Sequence, residues 1–183
     1  MLYDYLKSEG KKVIYLREPG ATKVSEKIRD ILLDAKNDLM LPECEMLLYM
    51  AARSQIVGEI IKPRLEKGFI VICDRFLDST IAYQGYGLGM DVGFIKRVGE
   101  FATLNLKPIL TIFLDLPVSS GLVHRDGNKD RIEKRSLAYH LRVRKGYLSL
   151  AHREAKRIKI VKVEKSKELT QSKVRELVSK YVI

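Results

Sequence analysis

The spacing of apolar residues along the chain predicts short strands that alternate with helices. Apolar runs of strand length occupy residues 13–16, 69–73, 109–114 and 158–163. The middle two runs are almost uninterrupted and rich in β-branched residues, which is typical of strands that helices cover on both faces. Such strands favour a parallel sheet, and their alternation with helices indicates an α/β fold.

Segments with helical periodicity lie between these runs. In the first of them, residues 24–33, apolar side chains recur at spacings of three and four, which predicts one buried face. That face consists of Val24, Ile28, Ile31 and Leu32. A long second helix should begin at Pro42 and end at Gly68, because proline suits the first turn of a helix and glycine suits the position after its last turn. Further helices are predicted around residues 95–101, from Pro117, and over residues 139–151 and 169–181.

The composition is that of a single domain over residues 1–183. The chain is 46% hydrophobic and 31% charged, with 12 glycines and 5 prolines, which excludes the disordered and collagen-like classes. No apolar run approaches the roughly 20 residues that cross a bilayer, and Asp4 and Glu9 interrupt the region that would be apolar in a signal peptide. We therefore expect a cytoplasmic protein without a membrane partner. Cys44 and Cys73 lie in apolar stretches, which predicts reduced thiols in the core.

The net charge leaves two classes of function open. The chain carries 34 Lys and Arg residues against 23 Asp and Glu residues, a formal net charge of +11. This charge fits a nucleic-acid-binding protein, and equally an enzyme that handles phosphorylated metabolites. The basic residues are spread along the chain, and no helix-turn-helix, zinc-finger or RNA-binding motif occurs, so the sequence favours nucleic-acid binding least.

Polar side chains follow the first two predicted strands, at the sheet edge where ligands of open parallel sheets collect. Residues 17–20 form a charged turn, and Asp74 and Arg75 follow the second run. An aspartate there can hold a hydrated Mg²⁺ and an arginine can clamp phosphate oxygens, although a simple ion pair at the sheet edge is the alternative. The hydroxyl groups and the side-chain amide that come next in the sequence favour a ligand-binding site over a simple ion pair, because they suit a base edge or a ribose. They belong to Ser79, Thr80, Tyr83 and Gln84.

A third polar segment, residues 125–135, is strongly basic. It contains three arginines and two lysines around Gly127. A mobile flap of this composition brings cations onto the charge that develops on a phosphoryl group and excludes water. A solvated basic loop is the alternative interpretation.

Six strings of the sequence, in this order and spacing, resemble the thymidylate kinase family. They are LREPG, EMLLYMAARSQ, IIKPRLEKG, VICDRFLDSTIAYQGYG, LKPILTIFLDL and DRIE. The resemblance runs from residue 2 to the final helix. It implies a P-loop kinase-like fold, in which helices flank a parallel sheet in three αβα layers, and an enzyme that transfers a phosphoryl group from ATP to dTMP with Mg²⁺, giving dTDP. It also implies a homodimer formed through helices that include residues 42–66.

The resemblance assigns roles to residues of the acceptor side. Tyr49 matches the ring that stacks on thymine, usually Phe in the family, and Arg53 matches an arginine that holds the base and the monophosphate. Arg75 matches the arginine that reaches the dTMP phosphate and acts in catalysis. Tyr83 matches the side chain that crowds the 2′ position against ribonucleotides. Contacts to the base and the sugar are implied for Ser79, Thr80, Tyr83 and Gln84.

The remaining implied roles concern ATP and the metal ion. Glu18 and Asp74 match acidic groups near the substrate phosphates and the Mg²⁺ shell, and Asp74 is also implied in catalysis. Arg125 and Arg131 lie in residues 124–135, which resemble the lid that contacts ATP and stabilises charge during transfer. His124 stands where many relatives have an arginine.

One motif of the family is missing from the sequence. Such kinases use a G-x-x-x-x-G-K-[ST] loop to cradle the ATP phosphates, and the chain contains no such string. In the alignment, residues 1–8 match the latter part of the family's first helix, which implies a chain that starts after this loop and lacks the central first strand. That strand separates those matched by residues 69–73 and 109–114, so the remaining strands must close up or leave a gap.

Three functions are compatible with the sequence. The leading one is a thymidylate kinase polypeptide with little kinase activity of its own, because the phosphate-binding loop supplies most donor contacts. The second is a noncatalytic nucleotide-binding protein that keeps the dTMP pocket. The third is a basic nucleic-acid-binding domain, which rests on the net charge alone.

Overall fold

The computed structural model describes residues 1–123 and 130–181, in which helices and strands alternate. In chain order they are α1 (Leu2–Ser8), β1 (Val13–Arg17), α2 (Lys23–Leu33), α3 (Pro42–Ile56), α4 (Lys62–Glu66), β2 (Ile70–Asp74), α5 (Leu77–Thr80), α6 (Val92–Ala102), β3 (Thr111–Asp115), α7 (Val118–Val123), α8 (Leu137–Arg153), β4 (Ile158–Lys162) and α9 (Lys167–Ser179). Two π-helical segments, Val57–Ile61 and Ile81–Gly87, continue α3 and α5. The predicted strands are therefore confirmed, each close to its expected bounds.

The described strands form two parallel pairs. β1 pairs with β2 in a register that begins at Val13 and Ile70, and β3 pairs with β4 from Thr111 and Ile158. Within the described residues each pair is a two-stranded sheet. The α/β class with parallel strands is confirmed. Of the two arrangements left open by the sequence, strands that close up or a sheet with a gap, the described residues have the gap.

The burial of the strands differs from the prediction made from periodicity. β1 and β4 each contain two buried residues, whereas β2 and β3 contain none. The amide of Ile70 donates to Lys12 O, and the amide of Glu18 donates to Asp74 O. Because alternate residues of a parallel strand bond to opposite sides, Val71 and Cys73 direct their backbone groups to the other edge, which has no partner strand in the described ranges. β2 and β3 are therefore only half-buried because one edge of each is open.

Helices cover the two faces of the strand pairs with different apolar clusters. On one face, Leu6 of α1 and Val174 of α9 pack against the strands. Each strand contributes an apolar side chain to this cluster: Val13, Ile70, Ile112 and Val161. On the other face, Ile158 joins a cluster with α3, α6 and α8 that contains Met46, Met50, Ile95 and Leu150. The layers are thus helix, strand and helix, as the predicted αβα fold requires.

Helix α2 turns a different face inward from the one predicted. Ser25 and Leu32 are fully buried, whereas Val24 and Ile31 remain 48% and 46% exposed. The Ser25 hydroxyl donates to the carbonyl of Ala52 on α3 at 2.9 Å. This polar contact lets α2 lie close against α3 and leaves Val24 and Ile31 at the surface.

The long second helix begins at Pro42 but is not uniform. The segment Val57–Ile61 is π-helical and leads into α4, whose second residue is Pro63. Proline has no amide hydrogen to donate and therefore disturbs the regular ladder of the preceding turn. Gly68 ends the helix at φ = +73°, a left-handed conformation that glycine adopts without a steric penalty.

The two cysteines are free thiols. Cys73 is half-buried on β2, and burial raises its pKa to about 12. Cys44 is exposed on α3, so its predicted place in the core is wrong.

The helices of the described ranges are too short or too polar to resemble membrane spans. None that the structure describes, over residues 1–123 and 130–181, is long and apolar enough to cross a bilayer.

Candidate functional site

A pocket of about 400 Å³ opens beside the carboxyl ends of β1, β2 and β3. The turn after β1, the helices α3 and α8, and the segment after β2 contribute its walls. The lining includes these residues singled out from the sequence: Glu18, Tyr49, Arg53, Arg75, Ser79, Thr80, Tyr83 and Gln84. The structure therefore brings together the acceptor-side residues that were chosen from three separate stretches of sequence.

A buried ion pair lies at one wall of the pocket. Arg53 and Glu18 are 2% and 3% exposed, and Arg53 Nε donates to Glu18 Oε2 at 2.8 Å. Arg53 Nη1 donates to the hydroxyl of Thr80 at 2.9 Å. The amide of Glu18 donates to Asp74 O, which fixes the turn after β1 against the end of β2.

The second carboxylate oxygen of Glu18 is a buried polar atom without a hydrogen-bond partner in the described structure. Burial raises the pKa of the Glu18 carboxyl, and the Arg53 guanidinium opposes that rise. A buried oxygen in this state gains from a donor that a ligand or its bound water supplies.

Arg75 lies directly after β2 in a left-handed backbone conformation, with φ = +72°. This conformation costs a non-glycine residue about 1–3 kcal/mol and persists where the surroundings fix it, often at functional sites. The guanidinium lies 4.9 Å from the centre of the Tyr83 ring. The ring therefore holds a cation at the pocket wall, where it can meet an anionic ligand.

The segment after Arg75 supplies hydroxyl groups and aromatic rings. The hydroxyls of Ser79 and Tyr147 are 2.7 Å apart, and Tyr147 stacks on Phe113 of β3 with ring centres 4.7 Å apart. Tyr83 meets the edge of Tyr147 at 6.3 Å. These rings form a rigid, partly polar wall that suits a base and a sugar.

The π-helical segment depends on a glycine at a close approach. A Cβ atom at Gly87 would lie 2.6 Å from the Tyr139 ring. The carbonyl of Gly87 accepts hydrogen bonds from Nε and Nη2 of Arg142 on α8 at 3.0 and 2.8 Å. The segment that carries Tyr83 and Gln84 is thus held against α8.

Tyr49 faces the pocket from α3, one helical turn before Arg53. Burial is the main cause that raises the pKa of Tyr49 to about 12, and the nearby Glu45 carboxylate adds to the rise. The phenol is therefore neutral at physiological pH and presents an uncharged ring to the pocket.

Two residues predicted to act in catalysis, Asp74 and Arg131, lie outside the lining of the pocket. Asp74 is exposed and accepts a hydrogen bond from the Tyr15 hydroxyl at 3.2 Å, outside the lining of the pocket. Arg131 is buried, and its Nε donates to the carbonyl of Leu32 at 2.9 Å. Arg125, like the neighbouring His124, falls outside the described residues. The roles assigned to Asp74, Arg125 and Arg131 in metal or ATP binding stay predictions.

The pocket also contains residues that the sequence did not single out. Phe113 lies within an apolar strand and Tyr147 within an amphipathic helix, so both had the pattern of ordinary core residues. Arg29 also lines the pocket, and its Nη1 donates to the carbonyl of Pro19 at 3.0 Å. The only sequence signal for Arg29 was a basic residue on a helix beside the charged turn, which is a weak signal.

The chemistry of the pocket suits a phosphorylated nucleoside. Arginine side chains, among them Arg29, Arg53 and Arg75, line it beside several aromatic rings. Guanidinium groups match the geometry of phosphate oxygens, and flat rings provide stacking surfaces for a base.

The chain is similar to known proteins in both sequence and structure. A family model described as thymidylate kinase matches residues 1–174. The thymidylate kinase of Syntrophotalea carbinolica is 46% identical over 168 residues, which is 87% of this chain and 78% of that protein. The thymidylate kinase of Symbiobacterium thermophilum is 44% identical over 179 residues, 97% of this chain and 84% of that protein. The crystal structure of thymidylate kinase from Ehrlichia chaffeensis superposes with a TM-score of 0.79 at 30% identity, covering 97% of this chain and 87% of that one.

Proposed function

Because the chain belongs to the thymidylate kinase family, we propose that its function is phosphoryl transfer from ATP to dTMP and that the pocket beside β1, β2 and β3 binds dTMP. The observation that supports this most is that the acceptor-side residues chosen from the sequence all line one pocket. We also infer that residues 1–183 act as one domain with a lid near residues 124–135. One apolar cluster supports this, because it unites Leu6 near the start of the chain with Val178 near its end.

In the proposed complex, the base and the phosphate bind at opposite ends of the pocket. Tyr49 stacks on thymine, Thr80 and Gln84 contact the base, and Ser79 and Tyr83 contact the sugar. Arg75 binds the phosphate, because its guanidinium is held at the wall by the Tyr83 ring. An arginine in this position stabilises the charge that develops during phosphoryl transfer, and most of the catalysis comes from positioning.

The family uses ATP as the donor, and we propose Mg²⁺ as its companion ion. Among the described residues no three Asp, Glu, His or Cys side chains come together as a ready-made metal site. Mg²⁺ keeps several waters and binds through one or two carboxylates and the substrate phosphates. The partnerless oxygen of Glu18 fits this arrangement as an acceptor for metal-bound water, and Asp74 is the second candidate. The ion would neutralise phosphate charge during transfer.

The donor side is the weaker half of the proposal, because the sequence contains no G-x-x-x-x-G-K-[ST] string. Arg131, one of the residues assigned to ATP, is engaged by Leu32 and Glu45. This observation favours a second candidate function for the chain as given, a dTMP-binding protein with little phosphoryl transfer.

Calorimetric titrations with dTMP and with MgATP, run separately, test both functions. We expect this chain to bind dTMP and to bind MgATP weakly. Arg75→Gln should weaken dTMP binding about 100-fold, because hydrogen bonds to a charged group contribute about 1.5–3 kcal/mol each, and it should leave thymidine binding unchanged. Arg97→Gln is the control, because it also removes one positive charge but lies on the exposed surface of α6.

The outcomes separate the three functions. A folded protein that does not bind dTMP would contradict the proposed pocket, whereas rapid dTMP turnover by this chain would contradict the second candidate. We propose that nucleic acid is not a partner, so a single-stranded oligonucleotide should not raise the melting temperature as dTMP does. A rise with the oligonucleotide alone would favour the basic nucleic-acid-binding domain.

We also propose that the protein forms a homodimer through α2, α3 and α6, helices that pack side by side. Apolar side chains on them are unusually exposed, with Val24 at 48%, Leu47 at 52% and Phe101 at 82%. Exposed apolar patches of this kind often mark protein interfaces.

The expected result for Leu47→Glu is a monomer, since a charge in an apolar interface should weaken association more than about tenfold. Sedimentation equilibrium measures the change directly. Leu169→Glu, at a comparably exposed leucine on α9 (59%), should leave the association state unaltered. Equal effects of the two changes, or a monomeric parent protein, would argue against this interface.

A further inference from the structure

Glu45 is a fully buried carboxylate beside the pocket. It lies on α3, one turn before Tyr49, and none of its surface is exposed. Its side chain is absent from the pocket lining. A buried charge is costly unless other groups pair with it, so its partners indicate what it does there.

The first partner of Glu45 is Gln84, which lines the pocket. Gln84 Nε2 donates to Glu45 Oε1 at 2.7 Å. A glutamine amide has one donor end and one acceptor end, and an ionised carboxylate repels the acceptor end. Glu45 therefore fixes the orientation of the amide, and the oxygen of Gln84 is the end left for a ligand in the pocket.

The other partners of Glu45 are two arginines. Arg135 Nη2 donates to Glu45 Oε2 at 2.6 Å, and Arg131 Nη2 lies 2.6 Å from the same oxygen. Two guanidinium groups at one oxygen supply the pairing that a buried carboxylate requires. The charge that orients Gln84 is thus held in place by two arginines of the segment that resembles the lid.

The contacts continue from Arg135 to the rings of the pocket. The Arg135 guanidinium lies 4.7 Å from the centre of the Tyr139 ring. Tyr139 meets Tyr83 edge to face at 6.3 Å, and Tyr83 lines the pocket. Contacts therefore link Glu45 to Gln84 and Tyr83, the two side chains of the π-helical segment that line the pocket.

We propose that Glu45 is a positioning residue that sets base selectivity through the Gln84 amide. With its oxygen presented to the pocket, Gln84 accepts a hydrogen bond from a pyrimidine that carries N–H at ring position 3, as thymine and uracil do. Cytosine has a hydrogen-bond acceptor at that position, so its lone pair would repel the oxygen of Gln84. This inference rests on the proposed binding of dTMP in the pocket.

Binding measurements with three ligands on the 183-residue chain test the inference. The ligands are dTMP, dCMP and 2-deoxyribose 5-phosphate, which lacks a base. In Glu45→Gln, the preference for dTMP over dCMP should fall about tenfold, the size expected for one hydrogen bond, whereas the affinity for the sugar phosphate should stay within about twofold of the parent value. Glu43→Gln, on the exposed side of the same helix, should change neither.

A second variant separates orientation from folding. Gln84→Leu removes the amide and leaves Glu45 paired with both arginines, so it should lower the same preference. Glu45→Gln should reduce the preference no further when it is introduced into Gln84→Leu, because the two residues act through one contact.

The possible failures are distinguishable. If the parent chain binds dTMP selectively and Glu45→Gln retains that selectivity, or loses all three ligands equally, the positioning role is wrong. If the folded parent chain binds no nucleotide, the proposed function fails first and this inference fails with it.

Discussion

Replacing Arg53 with methionine should lower the free energy of unfolding by about 3–5 kcal/mol and abolish dTMP binding. Arg53 is 2% exposed and pairs with Glu18, which is 3% exposed. Its removal leaves a carboxylate buried without a counter-charge and frees the hydroxyl of Thr80 from its donor. Denaturant unfolding followed by circular dichroism measures the loss.

The pH dependence of this loss identifies its cause. The pKa of Glu18 is already raised by burial, and it should rise further once Arg53 is gone. A carboxyl with a raised pKa in the folded state stabilises the protein most below its unfolded pKa, and that stability is lost as pH rises through the folded pKa. The Arg53→Met variant should therefore be closer to the parent protein at pH 4 than at pH 7.

Two further variants test the explanation. Glu18→Gln should recover part of the lost stability in the Arg53→Met background, because it removes the unpaired charge. Arg153→Met, at an exposed position near the end of α8, should have little effect. A loss that is the same at both pH values would contradict the role given to Glu18.

The second large effect is expected at Arg157, with a loss of about 3 kcal/mol in unfolding free energy for Arg157→Met. Arg157 binds Asp78 with both terminal nitrogens, at 2.7 and 2.8 Å, and its Nε donates to Glu154 at 2.9 Å. Asp78 precedes Ser79 and Thr80, so its pairing fixes the segment that lines the pocket. The variant should also bind dTMP more weakly, which calorimetry measures.

Because of the neighbouring Glu154, the loss of unfolding free energy in Arg157→Met should depend on pH. The hydrogen bond from Arg157 is the main cause that lowers the pKa of Glu154 to about 2. The stability that comes from this lowered pKa is present above the unfolded pKa and is lost as pH falls towards 2, so the parent protein and the variant should converge in acid. Lys107→Met breaks only the exposed contact to Glu154 and should cost less than about 1 kcal/mol. An equal cost for the two variants would contradict the importance of the buried pair.

Local sequence patterns were sufficient to predict the strands and to single out the polar segment after β2, whereas Tyr49 and Arg53 were assigned through the family resemblance. The apolar runs identify the strands because uninterrupted apolar residues of this length are rare elsewhere, and the residues after parallel strands meet at one edge by topology alone. This topology places the turn that contains Glu18 near Arg75, and the family resemblance then assigned both residues to one site.

Properties that depend on packing between distant segments could not be predicted in this way. Phe113 and Tyr147 have the same pattern as core residues, and only the fold brings them to the pocket. The prediction that Val24 and Ile31 lie on the buried face of α2 was wrong, because the hydroxyl of Ser25 donates to a carbonyl on α3. Hydrophobic periodicity carries no information about that contact. Glu45 gave no signal either, since a glutamate on a helix is usually exposed.

The open edges of β2 and β3 affect how the protein behaves at high concentration. Along each edge, peptide groups have no partner strand in the described ranges, and unpaired groups of this kind can pair with an extended chain. Val71 on one edge and Ile112 on the other belong to β-branched, uncharged runs, the composition that favours ordered fibrils. Described residues 1–123 and 130–181 supply no strand to cover these edges. The same feature that separates the two strand pairs thus makes each of them a template for self-association.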